Sequence, residues 1–322
     1  MRMVHLVKVR IARAWMETPD IRVLELAPQE AVALPMVSAG SHIDVHMPNG
    51  LVRQYSICNG PGESGFYRIA VKLEARSRGG SRSMHQDLEP GDALSISQPR
   101  NHFALSEIAG EHLLVAGGIG ITPILAMARA LAERGSPFRL IYFVRGPEHV
   151  VFNDALSDGR LAKHLVLHTG LSADQTAMEL TRDIVSSGDN SHLYVCGPAA
   201  FMEAALTIAV AAGWAPERLH REYFSALVDE TVSKGAFEVE ARRTGRTVSV
   251  AADETIVAAL ARDGINVDVS CEQGVCGTCL TVVLDGTPDH QDMYLTDAEK
   301  ARNDRMCLCV SRARSARLVL DL

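Results

Sequence analysis

The sequence predicts a multidomain chain: an antiparallel β-barrel, then an α/β part built on a parallel sheet, then a small α+β part. Three observations predict it. Over residues 1–103, short alternating runs recur between turn residues at the spacing of a barrel. Over 104–226 the pattern changes to apolar strands alternating with helices. After a polar stretch at 227–235, alternation returns over 236–322 as a hairpin, a helix and a cysteine-rich loop.

The bulk properties fit that division. A chain of 322 residues is long for one core, and 47% hydrophobic content is ordinary for a globular protein. A formal charge of −7 without a basic block argues against nucleic acid as a partner. No apolar run approaches the roughly twenty residues that a membrane span needs. The start, Met1 to Arg10, interleaves charged and apolar residues as a strand does, so a cytoplasmic location is expected. Seven cysteines, an odd count, argue against a disulfide framework.

In the barrel part, strands are expected at Ile21–Leu26, His42–Met47, Tyr67–Lys72 and Ala93–Ser97, with hairpin connections at Pro48-Asn49-Gly50 and Glu89-Pro90-Gly91-Asp92. The run Arg53-Gln54-Tyr55-Ser56 puts a cation and an aromatic ring on one face of a strand, with a hydroxyl beside them. A flavin suits that set: the guanidinium can pair a phosphate, the phenol can lie on the ring system, and Ser56 can approach its reactive edge. Gln54 and Val71 are further candidate contacts. Arg78-Gly79-Gly80-Ser81 reads as a glycine turn feeding a short helix, whose first N–H groups can hold an anion.

In the α/β part, the strand His112–Ala116 empties into Gly117-Gly118-Ile119-Gly120-Ile121-Thr122-Pro123 and a helix from about Ile124 to Glu133. That is a nucleotide-phosphate turn. Gly118 and Gly120 would let the backbone approach a pyrophosphate, Thr122 could cap the helix, and Pro123 suits its first turn. Further strands are expected at Phe138–Val144, Leu165–His168 and His192–Val195, the last ending in Cys196-Gly197-Pro198. No acidic residue closes the second strand to take a ribose hydroxyl; Arg145 stands there instead, so spacing leaves NADH and NADPH open.

The final part carries the most specific signal. Cys271, Cys276 and Cys279 stand at C-x4-C-x2-C spacing with further cysteines about thirty residues on, the pattern that holds a 2Fe-2S cluster. Gly274 and Gly277 allow the loop to curl and aim N–H groups at the sulfurs. Structural zinc would instead favour paired short knuckles. The fourth ligand is Cys307 or Cys309; two apart on a strand, they would share a face, and spacing does not choose. The hairpin is expected at Phe237–Ala241 and Arg246–Val250, the helix at Thr255–Arg262, and a closing strand at Arg317–Leu322. Asp289-His290-Gln291-Asp292 reads as a solvated loop, and the twelve histidines as scattered surface or satisfied core residues.

Taken in order, Arg53–Ser56, Gly79–Ser81, Gly117–Pro123, Tyr194–Pro198, His220-Arg221-Glu222-Tyr223-Phe224 and the cysteine loop resemble the phthalate dioxygenase reductase family across essentially the whole chain. The resemblance implies an FMN-binding barrel of the ferredoxin-reductase type, a Rossmann-like NAD domain and a β-grasp, plant-type ferredoxin domain. It implies NADH rather than NADPH as donor and Cys309 as the fourth cluster ligand. Phe224 would shield the flavin, and Cys196 would lie beside the nicotinamide; with Ser56 these are the catalytic candidates. The implied function is to pass electrons from NADH through FMN to the cluster and on to a terminal oxygenase, of the Rieske type. Reduction of a di-iron or haem monooxygenase, or a redox-sensing carrier role, are the alternatives.

Overall fold

The computed structural model describes residues 6–30, 33–75, 77, 79–224 and 235–322. The chain divides into two units, Met1–Glu222 and Tyr223–Leu322. The expected linker at 227–235 lies outside the described residues except for Gly235, as do Met1–His5 and Arg78.

The first unit begins with strands β1 (Val7–Thr18), β2 (Ile21–Pro28), β3 (Ser41–His46), β4 (Val52–Ser56) and β5 (Tyr67–Lys72). Helix α1 (Gly80–Gln86) precedes β6 (Ala93–Ile96) and β7 (Arg100–Asn101). Their sheet runs β4-β3-β6-β1-β2-β5, with β7 on β3, and β4 lies against β5 so that the sheet curls round on itself. Alternate residues such as Val9, Ile11, Leu24, Leu26, Ile43, Val45 and Ile69 fill its interior. Turn chemistry explains the connections: Gly50, at φ 81°, closes β3 onto β4. Gly91, at φ 104°, instead leads from α1 into β6, so the expected hairpin at Glu89–Asp92 is a helix-to-strand turn.

The same unit continues with β8 (Glu111–Gly117), α2 (Ile121–Arg134), β9 (Phe138–Val144), α3 (Asn153–Ser157), α4 (Gly159–Ala162), β10 (Leu165–Thr169), α5 (Ala173–Val185), β11 (Ser191–Cys196), α6 (Ala199–Ala211) and β12 (Leu219–Glu222). The five strands are parallel, in the order β10-β9-β8-β11-β12. Strand order therefore reverses between β8 and β11, which opens a crevice at their carboxyl ends, where α/β sheets bind ligands. One apolar core joins the two parts: Ile21, Val23, Cys58, Ala70 and Phe103 of the barrel pack with Leu125, Tyr142 and Tyr194.

The second unit holds β13 (Phe237–Ala241), β14 (Arg246–Val250), α7 (Ile256–Arg262), β15 (Leu280–Asp285), β16 (Pro288–Asp289), α8 (Asp297–Arg302), β17 (Arg305–Cys307), β18 (Arg312–Ala313) and β19 (Arg317–Leu320). Thr255 caps α7 by accepting from the Ala258 N–H. The sheet order is β14-β13-β19-β15-β17, so β19 lies inside the sheet, parallel to β13, rather than along an edge.

Candidate electron-transfer sites

Arg53 and Gly80 come together. A Cβ on Gly80 would lie 3.0 Å from Arg53 Cγ and 3.2 Å from its Nε, so the arginine passes tightly over the first turn of α1 and a side chain there would push it aside. Tyr55 is half-buried two residues along β4, and burial raises its phenol far enough to keep it protonated. The cation, the ring and the helix entry thus fit a flavin and its phosphate. Gly79 at φ 105° makes the turn, and Ser81 Oγ braces it, accepting from the Glu74 N–H at 3.1 Å. Two candidates fall outside the set. Gln54 donates to Asp44 Oδ1 at 3.0 Å, and Val71 is buried in the barrel core with its carbonyl 2.8 Å from His85 Nε2.

At the crevice, the glycines of the two turns serve each other. A Cβ on Gly120 would lie 2.2 Å from the Cys196 carbonyl oxygen, and one on Gly197 would lie 3.0 Å from Gly117 Cα. Gly118 differs: at φ 54° it faces open space, as a backbone receiving a phosphate requires. Thr122 is not the cap expected of it. Its buried hydroxyl donates back to the Ile119 carbonyl at 3.0 Å, and Gly120 occupies the cap position. Pro123 is buried in the first turn of α2, as expected.

Ser56 and Cys196, far apart in sequence, meet at Glu222. Ser56 Oγ donates to Glu222 Oε2 at 3.0 Å, and the Cys196 thiol donates to the Glu222 carbonyl at 3.3 Å. Burial raises the Glu222 carboxyl to about 7, despite the Ser56 hydrogen bond that favours its charge. Burial, with Glu222 nearby, holds the Cys196 thiol well above its usual range, so it is protonated. His42 Nδ1 stands 3.9 Å from Glu222 Oε1. Sequence reading passed over Glu222 because β12 is a four-residue strand without alternation; its position two residues before an aromatic was the available signal. Phe224 follows β12 and is 37% exposed.

Asp20 was also missed. It sits in the β1–β2 turn, yet its carboxylate reaches to 3.7 Å from Arg145, just beyond β9. Its other oxygen stands 3.7 Å from His149 Nδ1, so the carboxylate is flanked by two side chains of the loop that follows β9.

In the cysteine loop, Cys309 meets both Cys271 and Cys279 at hydrogen-bond range, whereas Cys307 meets Cys279 and feels Cys276 from farther off. The two do not share a strand face: β17 ends at Cys307, and Cys309 lies in the turn after it. Backbone N–H groups point at sulfur, from Gln273 to Cys271 at 3.3 Å and from Thr278 to Cys276 at 3.4 Å. Gly274 and Gly277 both sit at φ 70°, and a Cβ on Gly277 would lie 2.3 Å from the Tyr294 ring. This donor set fits an iron–sulfur cluster.

The segment 289–292 is not a solvated loop. Asp292 is 0% exposed and its carboxylate accepts from the Leu295 N–H at 2.8 Å and Ser311 Oγ at 3.3 Å. Met293 N–H reaches Gly274 at 2.9 Å, so the segment braces the cysteine loop. The histidines are not all scattered either. His112, His192 and His220 line up with Tyr194 across β8, β11 and β12, with His192 Nδ1 2.9 Å from His220 Nε2.

Three family models match in order: an oxidoreductase FAD-binding domain over residues 8–105, an oxidoreductase NAD-binding domain over 114–207, and a 2Fe-2S iron-sulfur cluster binding domain over 239–314. Together with the geometry they define the class, a flavin- and nicotinamide-dependent oxidoreductase carrying its own 2Fe-2S domain. The chain is 46% identical to a vanillate O-demethylase oxidoreductase of Pseudomonas sp. strain HR199, over 98% of this chain and all of the relative. Its fold matches the structure of phthalate dioxygenase reductase at TM-score 0.80 and 37% identity, with 98% of each chain covered. It also matches an intact type IV self-sufficient cytochrome P450 monooxygenase at TM-score 0.80 and 34% identity, over 98% of this chain and 41% of that one. The chain belongs to the family of the vanillate O-demethylase oxidoreductases and phthalate dioxygenase reductases.

Proposed function

We propose that the chain is the reductase component of a Rieske-type oxygenase or demethylase, taking electrons from NADH and delivering them to the oxygenase. The observation that carries this reading is the thiol cage of Cys271, Cys276, Cys279 and Cys309, on one chain with a flavin cradle and a nucleotide crevice. When bound, the flavin accepts a hydride as an electron pair and releases electrons singly, and the cluster takes them one at a time.

The chain's residues have the following parts. Arg53, Tyr55, Gly80 and Ser81 hold the flavin, read as FMN from the family resemblance. Gly118 admits the nucleotide phosphates, and Gly117, Gly120 and Gly197 set the width of the crevice. The Asp20 carboxylate, in the β1–β2 turn, offsets the charge of Arg145 beyond β9 and so disfavours a 2′-phosphate, which supports NADH. Ser56 donates to the Glu222 carboxyl, which holds a proton near neutral pH at the mouth of the site. Cys196 stays a neutral thiol that orients β12. The functional parts are residues 1–103, 104–226 and 236–322. The absence of any disulfide among the seven cysteines supports the cytoplasm as location, and among the described residues no helix is long and apolar enough to cross a membrane.

Anaerobic titration with NADH, after iron and flavin are quantified, tests the proposal. Two irons and one flavin per chain, with both absorption bands bleaching, are expected. Bleaching of the flavin bands alone would count against transfer to the cluster. The likeness to a self-sufficient P450 supports a second reading, in which the acceptor is a haem monooxygenase. Reduction rates with a purified Rieske oxygenase and with a P450 separate the two.

A further inference from the structure

Away from these sites, three side chains aim ligand atoms at one point. His168, near the end of β10, sets Nε2 4.0 Å from Glu179 Oε2. Glu179 and Asp183 are four residues apart on α5 and so share a helix face. One ligand atom from each of the three lies within 4.8 Å of the others. His168 Nε2, Glu179 Oε2 and Asp183 Oδ2 are all buried and lack a hydrogen-bond partner. Asp183 is only 6% exposed. A buried polar atom without a hydrogen bond is costly; His168 Nε2 and Asp183 Oδ2 are two such atoms, and Glu179 Oε2, which meets only an arginine, converges with them.

The neighbouring arginines answer this only in part. Arg139 Nη1 and Arg182 Nε approach the other oxygen of Asp183, at 3.5 and 3.8 Å. Arg182 Nη2 lies 2.5 Å from Glu179 Oε2 but is not aligned for a hydrogen bond, and its side chain is 59% exposed and able to swing out.

We propose that His168, Glu179 and Asp183 form a divalent-cation site for a first-row ion such as zinc. One imidazole nitrogen and two carboxylate oxygens suit zinc better than calcium or magnesium, which take oxygen donors. Bonds of about 2.0–2.2 Å need only small side-chain movements to draw the three atoms in. The ion would clamp β10 to α5. It would also fix the His168 ring, which stacks on Phe143 at 4.6 Å; Phe143 in turn meets Phe201 edge-on at 5.3 Å. Phe201 is the ring that a Cβ on Gly117 or Gly197 would strike, so the stack ends behind the nucleotide crevice.

The test is equilibrium dialysis of the holoprotein, its cluster iron counted beforehand, against zinc chloride, with bound zinc measured by mass spectrometry. One zinc per chain is expected, with affinity reduced at least tenfold in both His168→Ala and Glu179→Gln. Arg182→Ala should bind more tightly, because a competing cation is removed. Glu179 is partly exposed, so Glu179→Gln keeps the test open should His168→Ala fail to fold. No retained zinc in the wild type, or wild-type affinity in both ligand variants, would overturn the proposal.

Discussion

A carboxyl raised to about 7 by burial, as that of Glu222 is, stays protonated in the folded chain at a pH where the unfolded chain would have ionised it. Its contribution to stability is therefore complete below the usual value of about 4.5 and is lost as pH rises through 7. Glu222→Gln should match the wild type in thermal stability at pH 5 and exceed it at pH 8.5, by up to about 3 kcal/mol. An equal response at both pH values would contradict the raised carboxyl. The cysteines make a second case at this scale. Cys309→Ser should lose most of its iron and sulfide, whereas Cys307→Ser should keep two irons per chain, because Cys309 reaches two of the other cluster thiols and Cys307 reaches one at hydrogen-bond range. The sequence limited the choice to these two thiols. It did not decide between them, because the backbone turns after β17 and the premise of a shared strand face fails.

Among the elements, the two glycine turns behave as one part. Gly120→Ala would drive a methyl group into the Cys196 carbonyl, a backbone atom with no rotamer to yield. A loss of about 3 kcal/mol or more in the stability of the first unit is expected, with NADH oxidation falling in parallel. Thermal melts and steady-state rates check both. The ladder of His112, His192 and His220 gives the opposite pH sign to Glu222. Burial, then its histidine neighbours, lower His220 to about 4, so the folded chain binds fewer protons than the unfolded one. That stability is complete above pH 6.5 and fades as pH falls toward 4. His220→Phe should flatten the acid side of the melting profile by about 1–2 kcal/mol, discounted for partial solvent screening. Strands β5, β13 and β14 could be read to the residue because their periodicity is clean, and β9 because it is a nearly continuous apolar run. Strand β12 could not: it is short and charged, and it is held by parallel pairing with β11 rather than by a pattern of its own.

For the whole molecule, the order of transfer is the testable property. Cys276→Ser should abolish cytochrome c reduction while NADH–ferricyanide activity stays within about twofold, since ferricyanide can accept electrons from the flavin. Equal loss of both activities with flavin retained would refute the order. The three-part organisation was legible because each part has its own period: alternation, then strand and helix, then a cysteine spacing that few other chemistries require. What sequence alone concealed are the meetings across long separations, Ser56 with Glu222 and Asp20 with Arg145, because nothing local records them.

The reach of Asp20 bears on how such reductases can be recombined. Residue ranges suggest that the α/β part could be exchanged between relatives as a cassette, carrying its nucleotide preference with it. Yet Arg145, just beyond β9, pairs with an acid of the barrel's first hairpin. A chimera joined near residue 104 would pair a transplanted β9 with a resident acid at position 20. Under the role proposed for Asp20, its choice between the two nicotinamide donors would then follow the recipient as much as the graft.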